Sequence, residues 1–263
     1  MINYRGKVAL VTGASGGIGK AYANALAAKG CHVILVARSK DKLEALAQHL
    51  SESYAIQAFV IASDLSKMGS AKAVAQEVSA LGLSVDILIN NAGFGTYGHF
   101  HEIASEREQE EIMLNVASLV DMTHLFLPHM LEKQEGIVVN VASLAAFQPA
   151  PYLAVYSATK AFVLSFTEAL WAEYRHDGVR FLALCPGATQ TNFFDVAGSY
   201  AAAGGTAFST PEKVVQAGFR GIERGQSYIV EGSKNYFAAQ LHRLIPRKTV
   251  VRLMERIMRA KQS

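Results

Sequence analysis

Cysteine is scarce in this 263-residue chain: there are two, Cys31 and Cys185, each inside an apolar run. A disulfide framework or a thiolate metal cluster has nothing to build on, and both residues are expected in the core. Long apolar stretches are missing as well. No run approaches the roughly 18 residues that a membrane-crossing helix requires. Nor is there an excess of one charge, because 25 Lys and Arg stand against 22 Asp and Glu for a net charge of +3. That balance gives no nucleic-acid partner an electrostatic footprint to hold. The N-terminus runs almost directly into an apolar strand without a basic-then-apolar leader, so the expectation is a cytoplasmic protein. No linker, internal repeat or low-complexity segment interrupts the chain.

What is present is apolar: 51% of residues are hydrophobic and 18% charged. That composition suits one α/β domain with a well-buried parallel sheet. The charge is unevenly spread. Residues 234–263 hold eight Lys and Arg and one Glu, a local +7 that leaves −4 on residues 1–233. The reading is one main domain over residues 1–232, with 233–263 as its basic helical extension.

Lys7–Thr12 reads as a strand and Lys20–Lys29 as a helix, joined by Gly13-Ala-Ser15-Gly-Gly17-Ile18-Gly19. Glycines at such a turn let the backbone approach a diphosphate, and the helix N-terminus offers N–H donors and partial positive charge. The spacing is G-x-x-x-G-x-G rather than the common G-x-G-x-x-G. A second strand, Cys31–Ala37, ends at Arg38 and Ser39, where an NAD-binding site would present a carboxylate to the ribose. A guanidinium there favours a 2′-phosphate, hence NADP(H). A charge-assisted contact of roughly 1.5–3 kcal/mol biases the choice about tenfold to a hundredfold. The plainer alternative is a solvated Arg opening the helix Asp41–Leu50.

Tyr54–Ala62 reads as a third strand running to Ser63-Asp64-Leu65, with Asp64 placed to accept from an adenine amino group. After a helix over Lys67–Leu81, strand four, Val85–Ile89, delivers Asn90-Asn91-Ala92-Gly93 to the sheet edge where open α/β sheets hold ligands. Phe94–Gly98 continues as a loop. Glu106–Met130 reads as one long helix, and Asn115, a mediocre helix former, sits in its middle. Strand five, Gly136–Ala142, delivers Ser143. A helix from the Tyr156 region to about Arg175 and strand six, Val179–Cys185, follow. Pro186-Gly187, Thr189 and Thr191 come next, then a small-residue stretch, Ala201–Gly205, read as a mobile lid. Thr210 and Pro211 cap a helix over Glu212–Glu223. Ser227–Val230 is the last strand.

The chemistry centres on Tyr156-Ser-Ala-Thr-Lys160. Four residues apart on a helix, a phenol and an ammonium share one face. A phenol is a poor acid-base catalyst at neutral pH, its reference pKa being about 10. An ammonium about 4 Å away, at an effective dielectric near 20, stabilises the phenolate by roughly 4 kcal/mol. That is enough to bring the phenol near neutrality, where general acid-base catalysis works best.

With the glycine turn, Asn90–Gly93, Ser143, Tyr156 and Lys160, and Pro186-Gly187 in that order, the chain resembles the short-chain dehydrogenase/reductase family over roughly residues 5–232. The resemblance implies a doubly wound Rossmann fold, a seven-stranded parallel sheet in order 3-2-1-4-5-6-7 with helices on both faces. It implies catalytic roles for Asn115, Ser143, Tyr156 and Lys160. Ser143 would hold the substrate oxygen and Tyr156 would donate the proton as hydride arrives. Lys160 would lower the phenol pKa and hold the nicotinamide ribose, and Asn115 would link Lys160 to a proton relay. It implies NADP(H) contacts from Gly13, Ser15, Gly17, Ile18, Gly19, Arg38, Ser39, Asp64, Leu65, Asn91, Ala92, Gly93, Pro186, Gly187, Thr189 and Thr191, besides Tyr156 and Lys160. A homodimer or homotetramer through the helices bearing Asn115 and Tyr156 is implied too. A second basic residue in the glycine turn, common in NADP-preferring relatives, is replaced here by Gly16.

The resulting expectation is an NADP(H)-dependent oxidoreductase acting on a carbonyl or secondary alcohol. Phe94, Tyr97, Phe147, Phe193 and Phe194 suggest an apolar substrate, lipid-like, steroid-like or a small ketone. The competing reading is a catalytically silent NADP(H)-binding sensor or scaffold, with dehydratase or epimerase chemistry as a third. In the tail, Val250, Val251, Met254, Ile257 and Met258 recur at helical spacing among Arg252, Arg256, Arg259 and Lys261. Such a basic amphipathic helix packs on its own body or a second subunit, or lies on an anionic membrane surface.

Overall fold

The computed structural model of the chain describes residues 2–203, 208–240 and 245–259. Its seven strands are β1 (Val8–Thr12), β2 (His32–Ala37), β3 (Ala58–Ala62), β4 (Ile87–Asn90), β5 (Gly136–Val141), β6 (Val179–Cys185) and β7 (Tyr228–Val230). They form one parallel sheet in the spatial order β3-β2-β1-β4-β5-β6-β7, the order the resemblance implied. Helices cover both faces, which is why the strands are continuous apolar runs rather than alternating ones. All six residues of β5, for instance, are buried.

On one face α1 (Gly17–Ala28), α2 (Lys40–Tyr54) and α8 (Pro211–Glu223) pack Leu26, Leu43 and Val214 against Leu35, Ile89 and Leu184. On the other, α3 (Ser70–Ala80) and α5 (Ser118–Glu132) pack Val74, Met122 and Met130 against Leu10, Ile34 and Leu88. The chain builds outward from β1 to β3, then returns to pair β4 with β1, Ala9 opposite Ile87 and Val11 opposite Ile89. That reversal opens a crevice at the carboxyl ends of β1 and β4, where such sheets bind ligands.

The long helix expected over Glu106–Met130 is not uniform. It runs as α4 (Ser105–Ile112), a π turn at Met113–Ala117, and α5. Asn115 lies inside the π turn, a widening that recurs at functional sites. The third strand begins only at Ala58, because α2 extends through Tyr54 and ends on Ala55 in the left-handed conformation.

The basic tail helix, α10 (Arg247–Met258), is seated on its own body. Met258 packs with Ala150 and Leu153, against Tyr97, Tyr152 and Met254, and the Tyr97 hydroxyl donates to the Met258 carbonyl at 2.5 Å. Tyr152 donates to Glu255 at 3.3 Å. Arg252 and Arg256 face outward, while Ile257 is 44% exposed yet borders the cavity described below. Ala201–Ala203 belong to a short 3-10 turn that follows α7 (Phe193–Ala197), and α9 (Ser233–Gln240) follows β7. Gly204, Gly205 and Lys261 lie outside the described residues. Cys31 and Cys185 are both buried and unbridged. Among the described residues no helix is long and apolar enough to cross a membrane.

Candidate active site

The glycine turn is held by its neighbours rather than by its own sequence. Gly13 has φ +65°, and a Cβ there would lie 2.7 Å from Asn91 Nδ2. At Gly19 a Cβ would run into the Gly13 carbonyl and come within 2.6 Å of the same amide. Thr12 Oγ1 accepts from the backbone N–H of Asn91 and of Ala92, both at 2.9 Å, and Asn91 Nδ2 donates to the Thr12 carbonyl at 2.9 Å. Those bonds tie the turn after β1 to the turn after β4. The first turn of α1 carries no acidic residue and no side-chain cap, so its N–H groups stay available to an anion. A phosphate group fits this cradle.

At the end of β2, Arg38 and Ser39 line the same cavity, and Lys42 joins them. Sequence reasoning missed Lys42; only the first turn of α2 swings it toward the residue three places before it. Across from them, burial lifts the Asp64 carboxyl, but two hydrogen bonds from Ser66 and the charges of Arg38 and Lys67 outweigh it. The net effect holds Asp64 below the usual carboxylate range. The recognition set for the ribose end is therefore cationic apart from one well-ionised acid.

The other end is built by β5 and by α6 (Ala154–Glu173). Ser143 leaves β5 and hydrogen-bonds Tyr156, which keeps a partly exposed face on the cavity. Lys160 lies one turn along α6 and is buried. Here the geometry departs from the expectation. Lys160 Nζ donates to the Val141 carbonyl at 2.8 Å and sits 5.8 Å from the centre of the Tyr156 ring. A buried ammonium needs an acceptor, and the end of β5 supplies one. The phenol is accordingly not lowered. Burial pushes Tyr156 up to about 12, with Glu111 adding to the rise and the Ser143 hydrogen bond opposing it. Burial also brings Lys160 down to about 8, against the charges of Glu111 and Cys185.

Asn115 stands behind the cavity wall rather than on it. Its Nδ2 donates to the Phe94 carbonyl (2.8 Å) and Thr159 Oγ1 (3.1 Å), while Oδ1 accepts from the Phe94 N–H (3.2 Å). A Cβ on Gly93 would meet Asn115 Oδ1 at 2.8 Å and Lys160 Nζ at 3.4 Å, so amide and amine flank one glycine.

The cavity of about 600 Å³ joins both ends. Gly13, Ser15, Gly17, Ile18, Leu65, Asn91, Ala92, Gly93, Pro186, Gly187, Thr189 and Thr191 line it with the residues above. Gly19 does not, being packed beneath the turn. Phe94, Phe193 and Phe194 form walls, as the apolar reading expected. Tyr97 and Phe147 do not: Tyr97 packs on Tyr152 and Phe147 on Tyr228. In their place α10 brings Met254, Ile257 and Met258, from a segment outside the shared family pattern.

A family model described as short chain dehydrogenase matches residues 7–199. Hydroxysteroid dehydrogenase-like protein 1 of Gallus gallus is 40% identical over 183 residues, covering 69% of this chain and 55% of that protein. Very-long-chain 3-oxoacyl-CoA reductase of Anas platyrhynchos is 36% identical over 187 residues, covering 69% and 59%. The Rattus norvegicus relative at 33% identity, covering 71% and 57%, is named inactive hydroxysteroid dehydrogenase-like protein 1. The chain thus spans little more than half the length of these curated relatives. A solved short-chain dehydrogenase from Sphingobium yanoikuyae in complex with NADPH is 30% identical, covers 98% of each chain and superposes with a TM-score of 0.82.

Proposed function

This chain belongs to the short-chain dehydrogenase/reductase family, and from that premise we propose that it is an NADP(H)-dependent carbonyl reductase. Its substrate is an apolar ketone or the corresponding secondary alcohol. The observation that carries the reading is one continuous cavity with the uncapped α1 terminus, Arg38 and Lys42 at one end and Ser143, Tyr156 and Lys160 at the other. NADP rather than NAD rests on the three cavity-facing groups Arg38, Ser39 and Lys42, which together suit a dianionic 2′-phosphate. The NADPH complex of the Sphingobium protein agrees with it. An apolar substrate rests on Phe94, Phe193, Phe194 and the α10 methionines.

A bound nicotinamide supplies the hydride. The residues of the chain handle the proton and the orientation. Ser143 and Tyr156, already hydrogen-bonded to each other, offer two O–H groups to a carbonyl oxygen. A phenol held near 12 is protonated at neutral pH, so Tyr156 suits giving a proton to a forming alkoxide better than taking one from an alcohol. Lys160 supports the nicotinamide ribose of the cofactor, and Asn115 keeps the Phe94 loop and Thr159 in register behind it. A homodimer or homotetramer through α5 and α6, where Leu125 and Phe162 are exposed, belongs to the same reading.

NADPH consumption across a panel of apolar ketones tests it, with Tyr156→Phe as the control. Turnover in the native chain that the variant loses is the expected result. A second reading, a silent nucleotide binder, draws support from the relatives named inactive. It predicts NADPH binding with no turnover in either chain, and that outcome would replace the first reading.

A further inference from the structure

Glu111 is a carboxyl near the Tyr156–Lys160 pair to which the proposed mechanism gives no task. It is completely buried, and it sits on α4 one turn before Asn115. Its Oε2 accepts from both the backbone N–H and the hydroxyl of Thr96, each at 2.9 Å. Its Oε1 is buried with no protein partner. Together Glu111 and Asn115 clamp the loop after β4 at Thr96 and at Phe94. Between those anchors lies Gly95, where a Cβ would come within 2.9 Å of the Tyr156 ring. The clamp thus positions the backbone that the phenol leans on.

A clamp alone needs only an acceptor, and Gln would serve. A carboxylate with an unpartnered oxygen in the interior costs stability unless a nearby positive charge offsets it. The charges that face Glu111 are Glu108 on its own helix and Lys160 on α6. Arg107 is engaged elsewhere, stacked on Phe94 and paired with Glu110, which also holds Lys67.

We propose that Glu111 is a positioning residue whose carboxylate is the buried counter-charge to Lys160 and a brake on ionisation of Tyr156. The inference rests on the reading of Tyr156 and Lys160 as the proton-handling pair. Burial lifts the Glu111 carboxyl to about 7, against the Thr96 hydrogen bonds and the Lys160 charge, with Glu108 raising it further. Glu111 therefore changes charge near neutral pH. Its negative form raises both Lys160 and Tyr156, so it favours a charged amine and a protonated phenol. Both states suit carbonyl reduction.

Glu111→Gln keeps an oxygen for Thr96 and removes the charge. In ketone reduction with NADPH, the native kcat/KM should show an ionisation near neutrality that the variant lacks. The remaining alkaline limb should move to lower pH in the variant, with the KM for NADPH little changed. A purely structural role predicts superimposable profiles, and that result would overturn the proposal. A second arm needs no turnover: carbon NMR of glutamate-labelled chain, following the Glu111 carboxyl with pH. Lys160→Met should move its midpoint upward, since the ammonium holds it down; an unmoved midpoint also refutes the coupling. If the native chain reduces no ketone, the functional reading fails, and the NMR arm still decides on Glu111.

Discussion

Replacing Lys160 by Met should leave the fold near neutral pH at least as stable as the native one while ending turnover. The side chains are of similar length, so the packing around Val141 and Gly93 is kept and the charge is removed. In the folded chain the ammonium is brought from 10.5 to about 8, chiefly by burial. A base whose folded pKa lies below its unfolded one contributes stability above the unfolded value and loses it as pH falls through the folded value. The burden of Lys160 is therefore full below about pH 8, worth roughly 3 kcal/mol, and absent above the ordinary lysine pKa. Against it stands the hydrogen bond to the Val141 carbonyl, whose loss leaves a bare acceptor at a cost of about 1–3 kcal/mol at any pH. Near neutrality the variant should come out level with the native chain or up to roughly 2 kcal/mol more stable. The relative benefit should shrink by about 1 kcal/mol from about pH 7 to about pH 9, and by about 1 more by about pH 10. Losing the charge that holds Glu111 down drives the same trend, because an unpaired Glu111 becomes dearer to ionise as pH rises. Urea unfolding of both purified chains at these three pH values, without added nucleotide, measures it. If the two stabilities run parallel with pH, Lys160 carries no buried-charge burden and the electrostatics argued above are wrong.

Other changes probe the cofactor end. Arg38→Ala should raise the KM for NADPH about tenfold to a hundredfold and leave that for NADH nearly unmoved. Lys42→Ala should act in the same sense and more weakly, and equal effects on both nucleotides would dispose of the 2′-phosphate assignment. Gly19→Ala drives a methyl into the Gly13 carbonyl and the Asn91 amide. It should destabilise the fold by about 1–3 kcal/mol and weaken nucleotide binding, which thermal unfolding with and without NADPH would report.

The primary structure by itself determined the order of the elements along the chain. Apolar runs of strand length separated by helical patterns suit a parallel sheet, the family resemblance implied its doubly wound order, and the carboxyl ends of β1 to β6 carry the residues that meet in the cavity. The positions of Ser143, Tyr156 and Lys160 were legible from a strand end and an i,i+4 spacing, and their roles from the family resemblance. What the tertiary structure decided is what those groups feel. Whether an ammonium lowers a phenol depends on where Nζ points, and the free carbonyl of Val141 drew it 5.8 Å from the ring centre. Whether Glu111 matters depends on complete burial beside Lys160, and nothing in the run Glu106–Glu111 separates it from its three acidic neighbours Glu106, Glu108 and Glu110 until α4 packs on α6. The mid-helix Asn115 hinted at a break, but the π turn is a product of its bonds to Phe94 and Thr159, partners 21 and 44 residues away. Likewise α10 became a wall of the cavity only by folding back onto Tyr97 and Tyr152. Periodicity and spacing act along the chain; desolvation, charge coupling and cavity walls arise between segments, and only the packed molecule contains them.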